Sequence, residues 1–501
     1  MSGRSDLLGI LARWRADGLV VAAALLPLAL FVMREGQIAG ASGFPLDDSW
    51  IHLHFARNLA AGAGFSYNPG TPVAGSTAPL WTLLLGAGAF VAAPSLAMAK
   101  AVGIIATVGA ALVTRRAAIA WGARSEVALV AAVALVWMGP VTWGALSGME
   151  VSLAALLVAA ALLAHARDHA LASAVCAALA VLARPEALLL VPFLVAARPL
   201  TIRRIALFAL VTIVIVAPAV LFSLKTAGTP YPATAAAKVE GGLVGWLGGV
   251  REPAALTFVR RPAAFFTEWI VWLTTIHWLL PIALVPALVL TWQHAGRALG
   301  LVTLALVAHP LGMALLAPYR GPAFQEGRYS IHLLPLAVLV LAVAFGRHAP
   351  RRWAAPAIFA AWLAVAATTL VPAATRYGWA VQNINGMQVH LGRWADAQLP
   401  KNARIALNDI GAIAFFSRRD VIDLMGLVTP EIIPYRRRGE SGVMEYVSET
   451  CPEYLIIFPA WFPRLAASRE TLEPIYRVRL ERNEVAGAEE MVVYRLLRCA
   501  V

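Results

Sequence analysis

The chain carries, after its first long apolar run, the segment Phe44-Pro45-Leu46-Asp47-Asp48-Ser49-Trp50-Ile51-His52-Leu53-His54-Phe55-Ala56-Arg57-Asn58. Pro45 stops a helix, and two carboxylates then stand at the head of a new helical pattern. Ile51, Phe55 and Leu59 recur at i, i+4 and i+8, one apolar stripe. The segment therefore reads as a helix lying along a membrane surface, with Asp47 and Asp48 at its N-terminal end. A single Asp in that place is ordinarily the helix N-cap. A pair beside Trp50, His52, His54 and Arg57 is more polar chemistry than a cap requires.

The rest of the chain explains why a membrane is expected. Of 501 residues, 60% are hydrophobic and only 14% charged, and the mean hydropathy is +0.72. Soluble domains run nearer 45–50% apolar and about 25% charged. This excludes an ordinary soluble enzyme, a disordered protein and a disulfide-framework scaffold. Residues 381–501 hold 15 basic and 15 acidic groups, the density of a soluble domain, so the whole excess of +13 lies in residues 1–380. Such an excess fits basic cytoplasmic loops better than nucleic-acid binding. The organisation expected is an all-α polytopic membrane domain, 1–376, followed by a small extracytoplasmic α/β domain, 377–501.

Twelve apolar runs lie between 18 and 372, and basic clusters follow several of them: Arg115/Arg116/Arg124, Arg167, Arg198/Arg203/Arg204, Arg297 and Arg347/Arg351/Arg352. All of these share the cytoplasmic side with Arg4, Arg13 and Arg15 if residues 77–114 cross only once. That gives about eleven spans in the inner (cytoplasmic) membrane, N-terminus inside and C-terminal domain outside. The outer stretches are then 34–76, 139–149, 225–267 and 318–328. In the C-terminal part, Ala403–Leu407, Asp420–Asp423 and Tyr454–Phe458 read as strands, Gln388–Gln398 as a helix, and Tyr476–Glu481 with Met491–Leu496 as a hairpin. Cys451 and Cys499 can pair if this part is outside the cytoplasm.

Several short motifs then fall into a familiar order. They are the Asp47-Asp48 pair, Ala56-Arg57-Asn58-Leu59, Gly64-Phe65-Ser66-Tyr67-Asn68-Pro69-Gly70, Pro79-Leu80-Trp81 and Ser147-Gly148-Met149-Glu150. Ala183-Arg184-Pro185-Glu186, Gly327-Arg328-Tyr329 and Asp409-Ile410-Gly411-Ala412-Ile413-Ala414 follow. The sequence resembles the GT-C superfamily of membrane glycosyltransferases, and within it the terminal arabinofuranosyltransferase-like branch. The resemblance implies a polyprenyl-phosphate-linked sugar as donor, arabinofuranose in that branch. It implies a glycan, lipid or protein hydroxyl as acceptor on the outer face, and inversion at the sugar. It puts a catalytic base at Asp47 or Asp48; Asp47 is favoured, with Asp48 as cap or second carboxylate.

These residue types suit that chemistry. A carboxylate takes the acceptor proton, and cations stabilise the departing phosphate. His54, Arg57, Arg184, Lys238 and Arg328 are the expected donor-phosphate and substrate contacts, with His52 and Lys225 as further outward cations. A divalent cation between Asp47 and Asp48 is chemically feasible, but no cofactor or metal site is predicted. The competing reading is a transporter or flippase of a lipid-linked sugar. Against it, ionisable groups are scarce inside the apolar runs and no repeated half with broken helices is visible.

Overall fold

The structure is a computed structural model, and it describes residues 2–238, 241–346 and 354–499 (side chains from Trp14 and, in the last segment, from Ala360). The side chains of Arg4 and Arg13 and the cluster Arg347, Arg351 and Arg352 lie outside these. The first helix, α1 (Ser2–Ala39), leads to a loop and then α2 (Asp48–Ala60). Next come α3 (Leu96–Ala120) and α4 (Val151–Ala166). A 31-residue helix, α5 (Ala354–Ile384), closes the bundle against α1.

The helices are largely apolar, but their lengths do not bear out a count of eleven spans. Among the described residues five helices are long and apolar enough to cross a membrane: Trp14–Ala39, Leu96–Ala120, Ile202–Ala227, Leu280–Leu316 and Phe324–Phe345. A sixth span forms if Ser125–Val136 and Gly139–Leu146, bent by 61°, count as one. Four shorter apolar helices accompany them. The shortfall has a local cause. Pro140 starts a new helical piece inside an apolar run and Pro185 starts one after Arg184, while Leu280–Leu316 counts as one span although Gly296, at φ 58°, kinks it. Of the two runs in 77–114, only Leu96–Ala120 is long enough to span; Pro79–Phe90 is not.

Small residues let the bundle close. A side chain on Gly103 of α3 would strike the Ala145 carbonyl, and Ala106, Ala110 and Ala111 are buried on the same helix. By contrast Ile202–Ala227 turns Leu210, Ile213, Val214 and Leu221 outward, as a lipid-facing helix does.

Charges mark the two ends of the bundle. At one end Arg115 and Arg116 pair with Asp17. Nearby, Arg198 donates to the His165 carbonyl and Arg297 to the Ala196 carbonyl. At the other end Lys100 pairs with Glu35 at 2.6 Å, beside the start of the first loop.

The C-terminal part is a five-stranded sheet of β1 (Arg404–Leu407), β2 (Asp420–Asp423), β3 (Tyr454–Ile457), β4 (Leu472–Arg479) and β5 (Glu490–Leu496). The order is β2-β1-β3-β5-β4, with β1 parallel to both neighbours and β5 antiparallel to β3 and β4. A short helix, α6 (Gly411–Ser417), follows β1. Alternation divides the strands between two cores: Ile405 and Leu407 face one, Ala406 the other. The first core also takes in Ile51, Phe55 and Tyr67 of the first loop. Cys451 and Cys499 are disulfide-bonded. No chain break separates the two parts, because α5 runs straight through Tyr377.

Candidate active site

The first loop is held from below and from above. Ser49 donates to the Ser147 carbonyl at 2.7 Å and Trp81 to the Gly148 carbonyl at 3.0 Å. Gly148, at φ +73°, lies against the Phe44 ring, where a side chain has no room. From above, the backbone N–H groups of Gly411 and Ala412 donate to Asp47, at 2.6 and 2.7 Å. Asp47 makes no cap to its own helix α2. It caps α6, a helix 364 residues further on. Gly411 is required there, since a Cβ would land on Asp47.

Asp48 is placed differently. Its Oδ2 accepts from Arg328 at 2.8 Å, and its side chain is 34% exposed. It opens onto two cavities. One, of about 730 Å³, lies between the membrane domain and the C-terminal domain and is lined by polar and aromatic groups including Asp409, Asn408, Gln325 and Trp461. The other, of about 470 Å³, is bordered by Leu188, Leu189, Pro192, Met313 and Leu316. Asp48, Lys238, Tyr319, Arg320, Arg328 and Leu427 line both.

Electrostatics separate the two aspartates. Burial raises Asp47 to about 7, against the pull of the two N–H groups, and the Asp48 charge adds to the rise. Burial also opposes ionisation of Asp48, but Arg328 and Lys238 outweigh it and hold this carboxyl well below the usual range. Asp409 is pushed well up by burial and by the Asp47 charge, and its Oδ2 accepts from Gln388 at 2.7 Å. Asp48 is thus the ionised carboxylate of the group.

The cations expected from sequence divide into two sets. Arg328, Lys238 and Arg184 border the cavities. Among the described residues neither Lys238 nor Arg320 forms a close ion pair, although the Lys238 charge acts on Asp48; both stand over Tyr319, at 5.4 and 5.3 Å from its ring. Arg184 is ion-paired to Glu150 and to Glu186, and lies over Tyr329. His52 reaches the same Glu150 at 3.4 Å. His54 and Arg57, expected at a phosphate, line neither cavity. His54 Nε2 donates to the Tyr67 carbonyl at 2.9 Å, and burial drives the ring down to about 3. Arg57 donates to the Phe415 carbonyl at 2.7 Å and lies over that ring. Both are committed to seating the C-terminal domain on α2, so their orientation follows packing and not the cavity.

Sequence reasoning missed Arg320 and the turn before Arg328. Gln325 and Glu326 both have positive φ, 49° and 60°, and Gly327 follows at 76°. A left-handed non-glycine residue costs about 1–2 kcal/mol. Arg376 of α5 grips Glu326 with two bonds, 2.7 and 3.1 Å, and holds the turn. Strain of this kind concentrates at functional sites. Its sequence signal was faint: only Gly327, next to a quoted arginine. For a metal, no group of three or more His, Cys, Asp or Glu among the described residues is placed to bind one. The oxygens of Asp47 face N–H donors and Asp48 faces a guanidinium.

This fold, a bundle of apolar helices with a small α/β domain seated over its first loop, is shared by solved structures of GT-C glycosyltransferases. ArnT from Cupriavidus metallidurans, bound to undecaprenyl phosphate, matches at TM-score 0.58 and 13% identity over 97% of this chain and 99% of that one. The apo oligosaccharyltransferase of Archaeoglobus fulgidus matches at 0.56 and 13% identity, over 88% of this chain and 69% of that one. The arabinofuranosyltransferase AftD from Mycobacteria matches at 0.41 and 17% identity, over 95% of this chain and 40% of that one, a likeness that selects no branch. Residues 381–494 match a family described as a domain of unknown function, DUF8728. No curated protein matches the sequence.

Proposed function

We propose that the chain is an integral membrane glycosyltransferase that moves a sugar from a polyprenyl-phosphate-linked donor to an acceptor hydroxyl, with Asp48 as the base. The observation that carries this is the placement of Asp48: an ionised, accessible carboxylate at the seam of an apolar and a polar cavity. The apolar cavity suits the first isoprene units of the donor, with its phosphate among Lys238, Arg320 and Arg328. The polar cavity suits the acceptor. As the acceptor oxygen bonds to the anomeric carbon, its proton passes to Asp48. The carbon–oxygen bond to phosphate breaks, and the polyprenyl phosphate leaves with the electron pair, which inverts the centre. The Arg328 pairing makes Asp48 a weak base. That suffices because the hydroxyl proton becomes strongly acidic once the new bond is forming. Cations at the phosphate stabilise the charge developing on the leaving group.

The reaction belongs on the extracytoplasmic face in this reading. Two features support that side: the basic loops gather at the far end of the bundle, and the C-terminal domain carries a disulfide.

The test is release of polyprenyl phosphate by the full chain in nanodiscs, from a panel of donors beginning with arabinofuranose, in the presence of hydroxyl acceptors. Asp48→Asn should lower release by about 10²–10⁴-fold, the range for a lost general base. Asp47→Asn should lower it less and lower the unfolding midpoint as well. Release that survives in Asp48→Asn but vanishes in a well-folded Asp47→Asn would reverse the assignment.

A further inference from the structure

The polar cavity has features that identify what enters it. β1 lies between β2 and β3 and is parallel to both, so the chain leaves it on one side and returns on the other. In open α/β sheets the crevice outside the strand ends at such a reversal is where ligands bind. Here that crevice faces the membrane domain. Asn408 follows β1, Met425 follows β2 and Trp461 follows β3, and all line the cavity.

Two residues that line the cavity each hold a buried polar atom without a partner among the described residues. Asn408 is 2% exposed. Its Oδ1 accepts from the Phe458 N–H at 3.1 Å, which fixes the orientation of the amide. Its Nδ2 has no partner among the described residues, and neither has Gln325 Oε1 across the cavity. The Asn408 atom is a donor, and the Gln325 amide, which no bond orients, can present either its oxygen or its nitrogen. Leaving such groups buried and unpaired is unfavourable, so they point to a ligand that both accepts and donates. Asp409 stands beside Asn408, and its raised affinity for a proton lets the same carboxyl donate as well as accept. Trp461, 41% exposed, supplies an apolar ring face at the rim.

We propose that the acceptor is a saccharide and that the C-terminal domain binds it at this strand reversal, through Asn408 and Asp409 together with Gln325 of the opposite wall. Sugar hydroxyls donate and accept at once, and a sugar ring has an apolar face for Trp461. A lipid tail would leave the amides unpaired. An extended peptide would be expected to take a free sheet edge, whereas the cavity meets strand ends. The inference rests on the glycosyl-transfer reading.

The experiment uses the full chain in nanodiscs with no donor present, so it does not depend on Asp48 chemistry. Saturation-transfer NMR would compare arabinobiose, mannobiose and cellobiose with a serine-containing heptapeptide and with decanol. At least one disaccharide should bind. Asn408→Asp, which keeps the bond to Phe458 and removes the free donor, should weaken binding roughly five- to tenfold, as should Gln325→Met. If Asn408→Asp lowers the unfolding midpoint, Gln325→Met and Trp461→Ala, both outside the sheet, decide the matter. Binding of only the peptide or the alcohol overturns the proposal. So does saccharide binding that ignores these substitutions, and so does a folded wild type that binds no disaccharide. Loss of donor turnover with disaccharide binding intact would fault the reaction and leave the acceptor site standing.

Discussion

Asp47 and Asp48 are neighbours in sequence with opposite environments, and their titration should differ accordingly. The Asp47 carboxyl holds its proton up to about 7 in the folded chain, against about 3.9 for an unperturbed aspartate. The folded state therefore binds this proton more tightly than the unfolded one. The stability it contributes is complete below about pH 4 and is lost as pH rises through about 7. The advantage of wild type over Asp47→Asn should thus shrink between pH 5 and pH 8, as read by unfolding midpoints in nanodiscs. An advantage that grows over that range would contradict the assignment. That an acidic pair matters was legible from the sequence. Which member does what was not, because it is decided by the Gly411 and Ala412 N–H groups, which no local pattern connects to Asp47.

At the scale of elements, α2 and α6 meet end-on with one glycine between them. Gly411→Ala should push α6 off Asp47 at a cost of about 1–3 kcal/mol, the usual range for overpacking. Faster proteolysis of the 381–494 region at unchanged membrane insertion would report it. The turn Gln325–Gly327 makes a second case. Arg376→Ala releases Glu326, so the turn relaxes and Arg328 loses its register with Asp48. Turnover should fall and the disaccharide affinity of the polar cavity should fall with it, because Gln325 belongs to the same turn, and Arg376→Lys should recover part of both losses. The strands were readable because their alternation matches two faces: the expected 420–423 is also the observed β2, and the hairpin about Asn483–Gly487 is present as β4 and β5. The spans were less so. Apolar composition reports that a segment is buried in something greasy, but not where Pro140, Pro185 or Gly296 interrupts the helix.

For the whole molecule, the separation of charge along the bundle predicts a topology. An alkaline phosphatase fused after Val501 should be active, and one fused within the 198–204 loop should not. The Cys451–Cys499 bridge closes a loop with a separation of 48 residues, worth about 4 kcal/mol to its domain in the chain-entropy view. Cys451→Ser should therefore lower the midpoint of the C-terminal part, and reductant should do the same to the wild type alone. Asp47 is fixed by residues made hundreds of positions later, and its neighbour is the proposed base. During synthesis Asp47 and Asp48 are made long before Gly411 and Ala412, and the sheet that carries those two N–H groups is not complete until β5 has followed. A half-made chain can already pair Asp48 with Arg328, but Asp47 still lacks both of its donors. The first loop therefore reaches its final geometry only after the C-terminal domain has folded against it.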